Sequence, residues 1–394
     1  MGVSRQWSVV SCSNFLATDN GQLTTDQMLY YLIGLWTGEL EPAGTDPLAA
    51  LFRSLMFRAA AASVTAFLMS VLLGPYAIKW LRQRYRERVG SDSERLAQMH
   101  RPKQATPTMG GIFVLAALVG STLLWGDVLN LFVVLGLVVT VGLGLLGAAD
   151  DLTKLRGERR GLSEREKLLG QIVLGLAVAA GLYLHSRGTP FGTKLALPMC
   201  AGYVSIGCLL IPWATLVITA SSNGVNLADG LDGLASGCLI FAAAAVGVLD
   251  YIGGHSRLAD YLSVPYVAGC GELTVMVGAA LGAILGFLWF NCHPAEVFMG
   301  DTGSLSLGGL LGYAALVPRQ ELLLLVAGGI FVVEAASVLA QRYYFKATGR
   351  RILLCAPLHH HYQFLGWSES KIVVRFWIVA ALLSILAVAT LKFR

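Results

Sequence analysis

Three acidic motifs and one histidine run hold the groups in this sequence best suited to chemistry. The first motif ends in Asp150 and Asp151. The second spaces Asn223, Asn226, Asp229 and Asp232 three residues apart. The third runs from Phe298 through Asp301 to Ser304, with Asn291 a little upstream. The histidines are His359, His360 and His361, just after Pro357. Each motif adjoins a long apolar stretch. Carboxylates next to hydrocarbon are costly and mark function more often than packing. Their oxygens suit Mg²⁺, which takes one or two carboxylates together with substrate phosphates and water.

Each motif also has a plainer reading. Asp150 and Asp151 are about 100° apart on a helix, so one can face a pocket while the other caps or pairs with Lys154. As a solvated helix end the pair would oppose the macrodipole. The Asn/Asp row drifts by about 60° per step on an α-helix and stays aligned on a 3₁₀ turn. A simple turn would also use Asn, Asp and Gly, but four evenly spaced oxygen-bearing side chains exceed what a turn needs. Gly224, Gly230 and Gly233 allow ligand or backbone to come close. Asp301 or its neighbour Thr302 could simply cap the following helix. Free amides at that helix start would suit phosphate. Asn291 could hydrogen-bond a planar base, and Phe298 could stack on it. Three successive histidines do not all ligate one metal from a helix. In a structured loop after Pro357 one of them can donate to phosphate or hold a nucleotide. Lys103, Lys154 and Lys167 could steer a polyanionic substrate.

The elements that must position these groups lie in a membrane. The chain has 394 residues, 55% of them hydrophobic and 13% charged, with a mean hydropathy of +0.65. Soluble domains carry about 25% charged residues, so a soluble enzyme is excluded. The net charge of +5 fits loop bias in a membrane protein, not nucleic-acid binding. The seven cysteines form no CxxC pair, which implies neither a zinc site nor a disulfide framework. Residues 1–27 are polar and unpatterned and are expected to be a disordered extension. Residues 28–37 read as a short interfacial helix.

A spanning helix needs roughly 20 apolar residues. Ten stretches qualify: 55–80, 110–128, 130–149, 168–186, 203–220, 233–253, 272–290, 303–318, 322–343 and 372–391. The fifth is interrupted by Pro212 and the eighth is short and Gly-rich. Glu334 and Gln341, seven apart in the ninth, share a stripe expected to face the bundle interior. The fold class is therefore all-α and polytopic, a single ten-helix domain over 28–394.

Basic residues alternate between loops. One set holds Arg82, Arg84, Arg86, Arg88, Arg95, Arg101 and Lys103, then Lys154, Arg156, Arg159, Arg160, Arg165 and Lys167, then Lys346, Arg350, Arg351 and Lys371. The other holds only Arg187, Lys194, Arg257 and Arg319. The positive-inside rule puts the first set in the cytoplasm and both termini outside. All four motifs then share the cytoplasmic face, in a cleft at the bilayer edge. Such a cleft fits chemistry between a soluble nucleotide and a lipid phosphate, two anions that need Mg²⁺ and lysines to meet.

The motifs closely resemble those of the polyprenyl-phosphate N-acetylhexosamine-1-phosphate transferases. The matching stretches are Thr106–Gly111, Ala149–Lys154, Asn223–Leu234, Gly286–Asn291, Pro294–Ser304 and Pro357–Tyr362, in family order from about Met28 to Arg394. The last two point to the muramoyl-pentapeptide branch. Gly224, Ala228, Ala105 and the N-terminal extension are small departures, and none removes a proposed catalytic group. The resemblance implies that UDP-N-acetylmuramoyl-pentapeptide donates its phospho-sugar to undecaprenyl phosphate, with Mg²⁺, in a bacterial cytoplasmic membrane. It implies Asp301 as the main Mg²⁺ ligand. Asp150 would sit nearest the lipid phosphate and take its proton, with Asp151 in support. Asn226, Asp229, Asp232, Asn291, Phe298 and Lys103 would line the nucleoside and diphosphate pocket, with Asn223 in the same row. Lys154, Lys167 and His360 would contact phosphates or the uridine side, with His359 and His361 beside them. Members of the family are often homodimers, although no interface signature stands out here. A sister enzyme transferring N-acetylglucosamine 1-phosphate is the near alternative. An ion-coupled transporter is the remote one, and would place acids near the midplane and in both halves.

Overall fold

A computed structural model describes residues 51–84, 106–156, 161–197 and 202–393. Lys103, residues 1–27 and residues 28–37 lie outside the described residues. Helices occupy all ten predicted stretches. They are α1 (Leu55–Arg84), α2 (Gly111–Trp125), α3 (Leu131–Arg156), α4 (Glu164–Ser186), α5 (Leu210–Ala228), α6 (Leu234–Gly254), α8 (Glu272–Asn291), α9 (Gly300–Leu316), the pair α10 (Glu321–Ala327) and α11 (Gly329–Thr348), and α13 (Glu369–Ala389). Short helices α7 (Ser256–Tyr261) and α12 (Leu358–Phe364) lie between them. Strands β1 (Lys194–Ala196) and β2 (Tyr203–Ser205) form an antiparallel hairpin with Leu195 opposite Val204.

Seven helices are long and apolar enough to cross a membrane: α1, α3, α4, α5, α6, α8 and α13. The pair α10 and α11 makes an eighth candidate, bent by 83° at its break. Helix α2 is apolar over 15 residues. Helix α9 has 17 residues, and every one from Asp301 to Leu316 is buried. Because protein encloses α9 on all sides, it needs no lipid-facing apolar surface, and that is why its sequence is Gly-rich. It packs chiefly against α3 and α5. A Cβ on Gly308 would come within 2.6 Å of the Ser221 carbonyl oxygen, so small residues set the close approach of α9 to α5.

Two predicted boundaries shift. The fifth stretch was expected at 203–220, but residues 203–205 pair as β2 and α5 starts at Leu210. Pro212 falls in the first turn of α5, where a missing N–H costs little. Asn223 and Asn226 are therefore helical, in the last turns of α5, and not in a loop. The ninth stretch is broken between Ala327 and Gly329.

The helix ends sort into two groups. Asp151 contacts the start of α9, and Asn291 at the end of α8 contacts the start of α6. At the opposite end, Arg58 of α1 meets Glu272 of α8 at 2.9 and 2.5 Å and donates to the Trp125 carbonyl of α2. Glu272 also accepts from the Asp127 amide. Glu321 accepts from Trp213 there, and Arg319 donates to the Gly192 carbonyl. Glu272 and Glu321 thus each have a partner from another helix.

Arg58 is buried, and removing one member of a buried pair strands the other charge. Arg58→Ala is expected to cost about 3–5 kcal/mol, read as a lower thermal midpoint in detergent. The double change Arg58→Met with Glu272→Leu should lose clearly less. Equal losses would show that the pair is not coupled.

Candidate active site

The last turns of α3 bring Asp150, Asp151 and Lys154 to the start of α9. Both carboxylates are buried, and their roles differ. Asp151 accepts from the Asp301 amide (3.1 Å), the Thr302 amide (3.0 Å) and the Thr302 hydroxyl (2.8 Å). It therefore caps α9 from a neighbouring helix, where a negative charge also meets the positive end of the dipole. Gly300, at φ 71°, supports this contact, because a Cβ there would meet Asp151 Oδ2 at 2.7 Å. The amides that sequence reasoning offered to phosphate are thus already taken by a carboxylate. Asp301 does not cap its own helix.

Asp150 accepts from Lys154 Nζ at 2.7 Å and from the Leu162 amide at 2.6 Å. Asp301 accepts from Lys167 Nζ (2.6 Å), Lys154 Nζ (3.0 Å) and Asn226 Nδ2 (2.8 Å). Asn226 also donates to Ser304 Oγ at 2.8 Å. Ligand oxygens of Asp150, Asp151 and Asp301 lie within 4.8 Å of one another. An all-oxygen set of carboxylates fits a hard divalent cation, and so does the shortage of positive charge around three acids. Lys154 and Lys167 supply two of the three positive charges that would balance them.

The Asn/Asp row does not stay together. Asn226 joins Asp301. Asn223 turns toward α4 and donates to Gln171 Oε1 at 2.8 Å. Asp229 ends α5 in a non-helical conformation and is half-buried. Asp232 is buried and accepts from His293 Nδ1 (3.0 Å) and the Ala295 amide (3.2 Å), while its own amide donates to Glu369. A regular period of three was expected to give one broad side. It fails because the helix ends between Ala228 and Asp229 and the chain turns.

Asn291 is committed to structure. Its Oδ1 accepts from the Gly233 amide and Ser236 Oγ, and its Nδ2 donates to the Val297 carbonyl. It pins the α8–α9 loop to the start of α6 and is not free to read a base. Phe298 is half-buried, and its backbone pairs with Pro107 and Gly110. The stretch after Thr106 therefore lines the same loop, although Lys103 lies outside the described residues.

The histidines form the helix α12 and not a loop. His359 is buried against Glu334, with Nδ1 3.2 Å from Oε2 and its amide 3.2 Å from Oε1. A Cβ on Gly230 would run into His359 Nε2, so this histidine braces the Asn/Asp turn. His360 is half-buried and bonds Gln363, and His361 Nδ1 accepts from the Leu354 amide. Gln341 accepts from the amides of Ile352 and Leu353. The stripe of Glu334 and Gln341 is thus the platform for this segment. Sequence reasoning passed over Gln171, His293 and Glu369, and it did not give Thr302 and Ser304 their partners Asp151 and Asn226. Gln171 lies four residues after Lys167 on an otherwise apolar helix, a signal that could have been used. Glu369 has no comparable signal.

Residues 133–318 match the family model described as Glycosyl transferase family 4. A phospho-N-acetylmuramoyl-pentapeptide-transferase from Nitratidesulfovibrio vulgaris is 50% identical over 348 residues, covering 87% of this chain and 95% of that relative. Proteins of the same name from Oleidesulfovibrio alaskensis and a Geobacter species are each 45% identical, covering 93% of this chain and 100% of the relative. Together with helices long and apolar enough to span a bilayer, these matches define the class as a polytopic membrane transferase. The chain belongs to the phospho-N-acetylmuramoyl-pentapeptide-transferase family.

Asp151 and Asp301 should separate by substitution. Asp151→Asn puts an NH₂ group against the donors of α9, and is expected to lower stability by about 1–3 kcal/mol along with turnover. Asp301→Asn keeps one oxygen for the lysines at the expense of the Asn226 contact, and should lose turnover with a smaller fall in thermal midpoint than Asp151→Asn. Unfolding curves alongside activity check the contrast, which fails if both variants unfold alike.

Proposed function

We propose that this protein transfers phospho-N-acetylmuramoyl-pentapeptide from UDP-N-acetylmuramoyl-pentapeptide to undecaprenyl phosphate, forming lipid I and UMP. The observation that carries the reading is the gathering of Asp150, Asp151 and Asp301 with Lys154 and Lys167 at one end of the apolar helices. It is supported by relatives that bear the transferase name over nearly the whole chain. In this reading the ten helices cross a bacterial cytoplasmic membrane with both termini outside. Residues 28–394 form one domain after a short extension, the cleft faces the cytoplasm, and the working unit is a homodimer.

Each residue then has a task. A phosphate oxygen of the lipid forms a new bond to the sugar-linked phosphorus, and the bond from that phosphorus to UMP breaks. Phosphoryl transfer asks mainly for positioning and charge neutralisation. Asp150, at the end of α3, takes the proton of the lipid phosphate. Lys154 and Lys167 draw both anions in and balance their charge. Asp301 is the main ligand for Mg²⁺, with Asp150 close enough to share it. When bound, Mg²⁺ neutralises charge on the diphosphate. Asp151 holds α9 so that Asp301 keeps its place. Asn226 and Ser304 fix the Asp301 carboxylate. Asp229, Asp232, Phe298 and Lys103 line the donor side, and His360 reaches a phosphate. Asn291, His359 and His361 shape that side from behind.

The test is UMP release by purified protein given undecaprenyl phosphate and each UDP-sugar in turn. Release is expected from UDP-N-acetylmuramoyl-pentapeptide, is expected to cease when EDTA removes Mg²⁺, and should fall by at least about 100-fold in Asp301→Asn. Transfer only from UDP-N-acetylglucosamine would instead select the sister reaction.

A further inference from the structure

Asp232 sits apart from the carboxylates of α3 and α9, in a second cluster with His293 and Glu369. Ligand atoms of the three lie within 4.8 Å of one another. The Asp232 side chain is 2% exposed, whereas that of His293 is 45% exposed. The buried carboxylate therefore reaches the surface through an imidazole. Three separate pieces of chain meet here: the α5–α6 turn, the α8–α9 loop and the first turn of α13.

The hydrogen bonds couple these pieces. Asp232 Oδ2 takes both His293 Nδ1 and the Ala295 amide, two donors from one loop. That loop starts at Asn291, whose side chain is clamped to α6, and leads directly into Asp301. Glu369 Oε1 accepts the Asp232 amide, and Glu369 Oε2 lies 3.9 Å from the same His293 nitrogen. Two carboxylates flank one ring N–H. Without that N–H the two carboxylates would face each other with nothing between them. A carboxylate accepts, so the Nδ1 that meets Asp232 carries the hydrogen.

We propose that His293 is a positioning residue for the donor: by tying the buried Asp232 carboxylate to the α8–α9 loop it fixes the wall that meets the donor's nucleoside. The inference rests on the reading of this side as the donor pocket. The polar partners of His293 are Asp232 and Glu369, not the carboxylates of α3. Its loss should therefore weaken donor binding and leave the chemical step alone.

The experiment measures UMP release by the full-length protein in detergent, varying UDP-N-acetylmuramoyl-pentapeptide and undecaprenyl phosphate separately. His293→Ala is expected to raise the donor KM about tenfold, with kcat and the acceptor KM within about twofold. His293→Asn places an amide N–H at the same branch position as Nδ1, and should bring the donor KM back to within about threefold of the parent. An unchanged donor KM in His293→Ala overturns the proposal. So does a fall in kcat alone, or a His293→Asn variant that behaves like His293→Ala. Failure of the parent protein to release UMP from this donor would instead overturn the proposed function, so the two readings fail separately.

Discussion

Three carboxylates held within 4.8 Å of one another, at the ends of apolar helices, repel strongly. The rest of the structure depends on how that repulsion is met. Lys154 stands one turn beyond Asp150 on α3, and Lys167 comes from the first turn of α4. Their ammonium groups converge on Asp301 at 3.0 and 2.6 Å. Asp151 is balanced differently, by the amides and dipole of α9. The site is thus assembled from helix ends, where backbone polarity is already unpaired.

This arrangement explains why the most buried helix is also the one that carries Asp301. A carboxylate that must be shared between substrates and lysines has to be fixed to within a fraction of an ångström. Helix α9 is enclosed by α3 and α5, capped by Asp151, and tied to α5 by Asn226 and Ser304. The loop before it is pinned at Asn291 and along its backbone to residues 107–111. Asp301 and the His293–Asp232 contact therefore lie at the two ends of one short, well-anchored loop. On the other side of the α5–α6 turn, His359 on Glu334 braces Gly230, so α11 also contributes to the shape of that turn.

Much of this was legible in the sequence. Helices lie in all ten apolar stretches, and the different partners of Asp150 and Asp151 fit their separation of about 100°. The carboxylates and lysines met as expected because their order along the chain puts them at alternate helix ends. Other features were not legible. The Asn/Asp row looked periodic, yet α5 ends inside it, and periodicity does not say where a helix stops. The amides of Asp301 and Thr302 looked free because their partner, Asp151, is 150 residues away in sequence. Asn291 looked like a ligand group but serves as a clamp, since its partners come from the start of α6. His293 and Glu369 carry no local pattern. Only the fold brings them to Asp232.

The central claim is that the carboxylates of α3 and α9 form one divalent-cation site centred on Asp301. Direct binding of Mn²⁺, as a spectroscopic stand-in for Mg²⁺, by the protein in nanodiscs tests it without reliance on turnover. One saturable site, displaced by Mg²⁺ and lost in Asp301→Asn while the protein stays folded, is the expected result. Undiminished binding by Asp301→Asn would contradict the account.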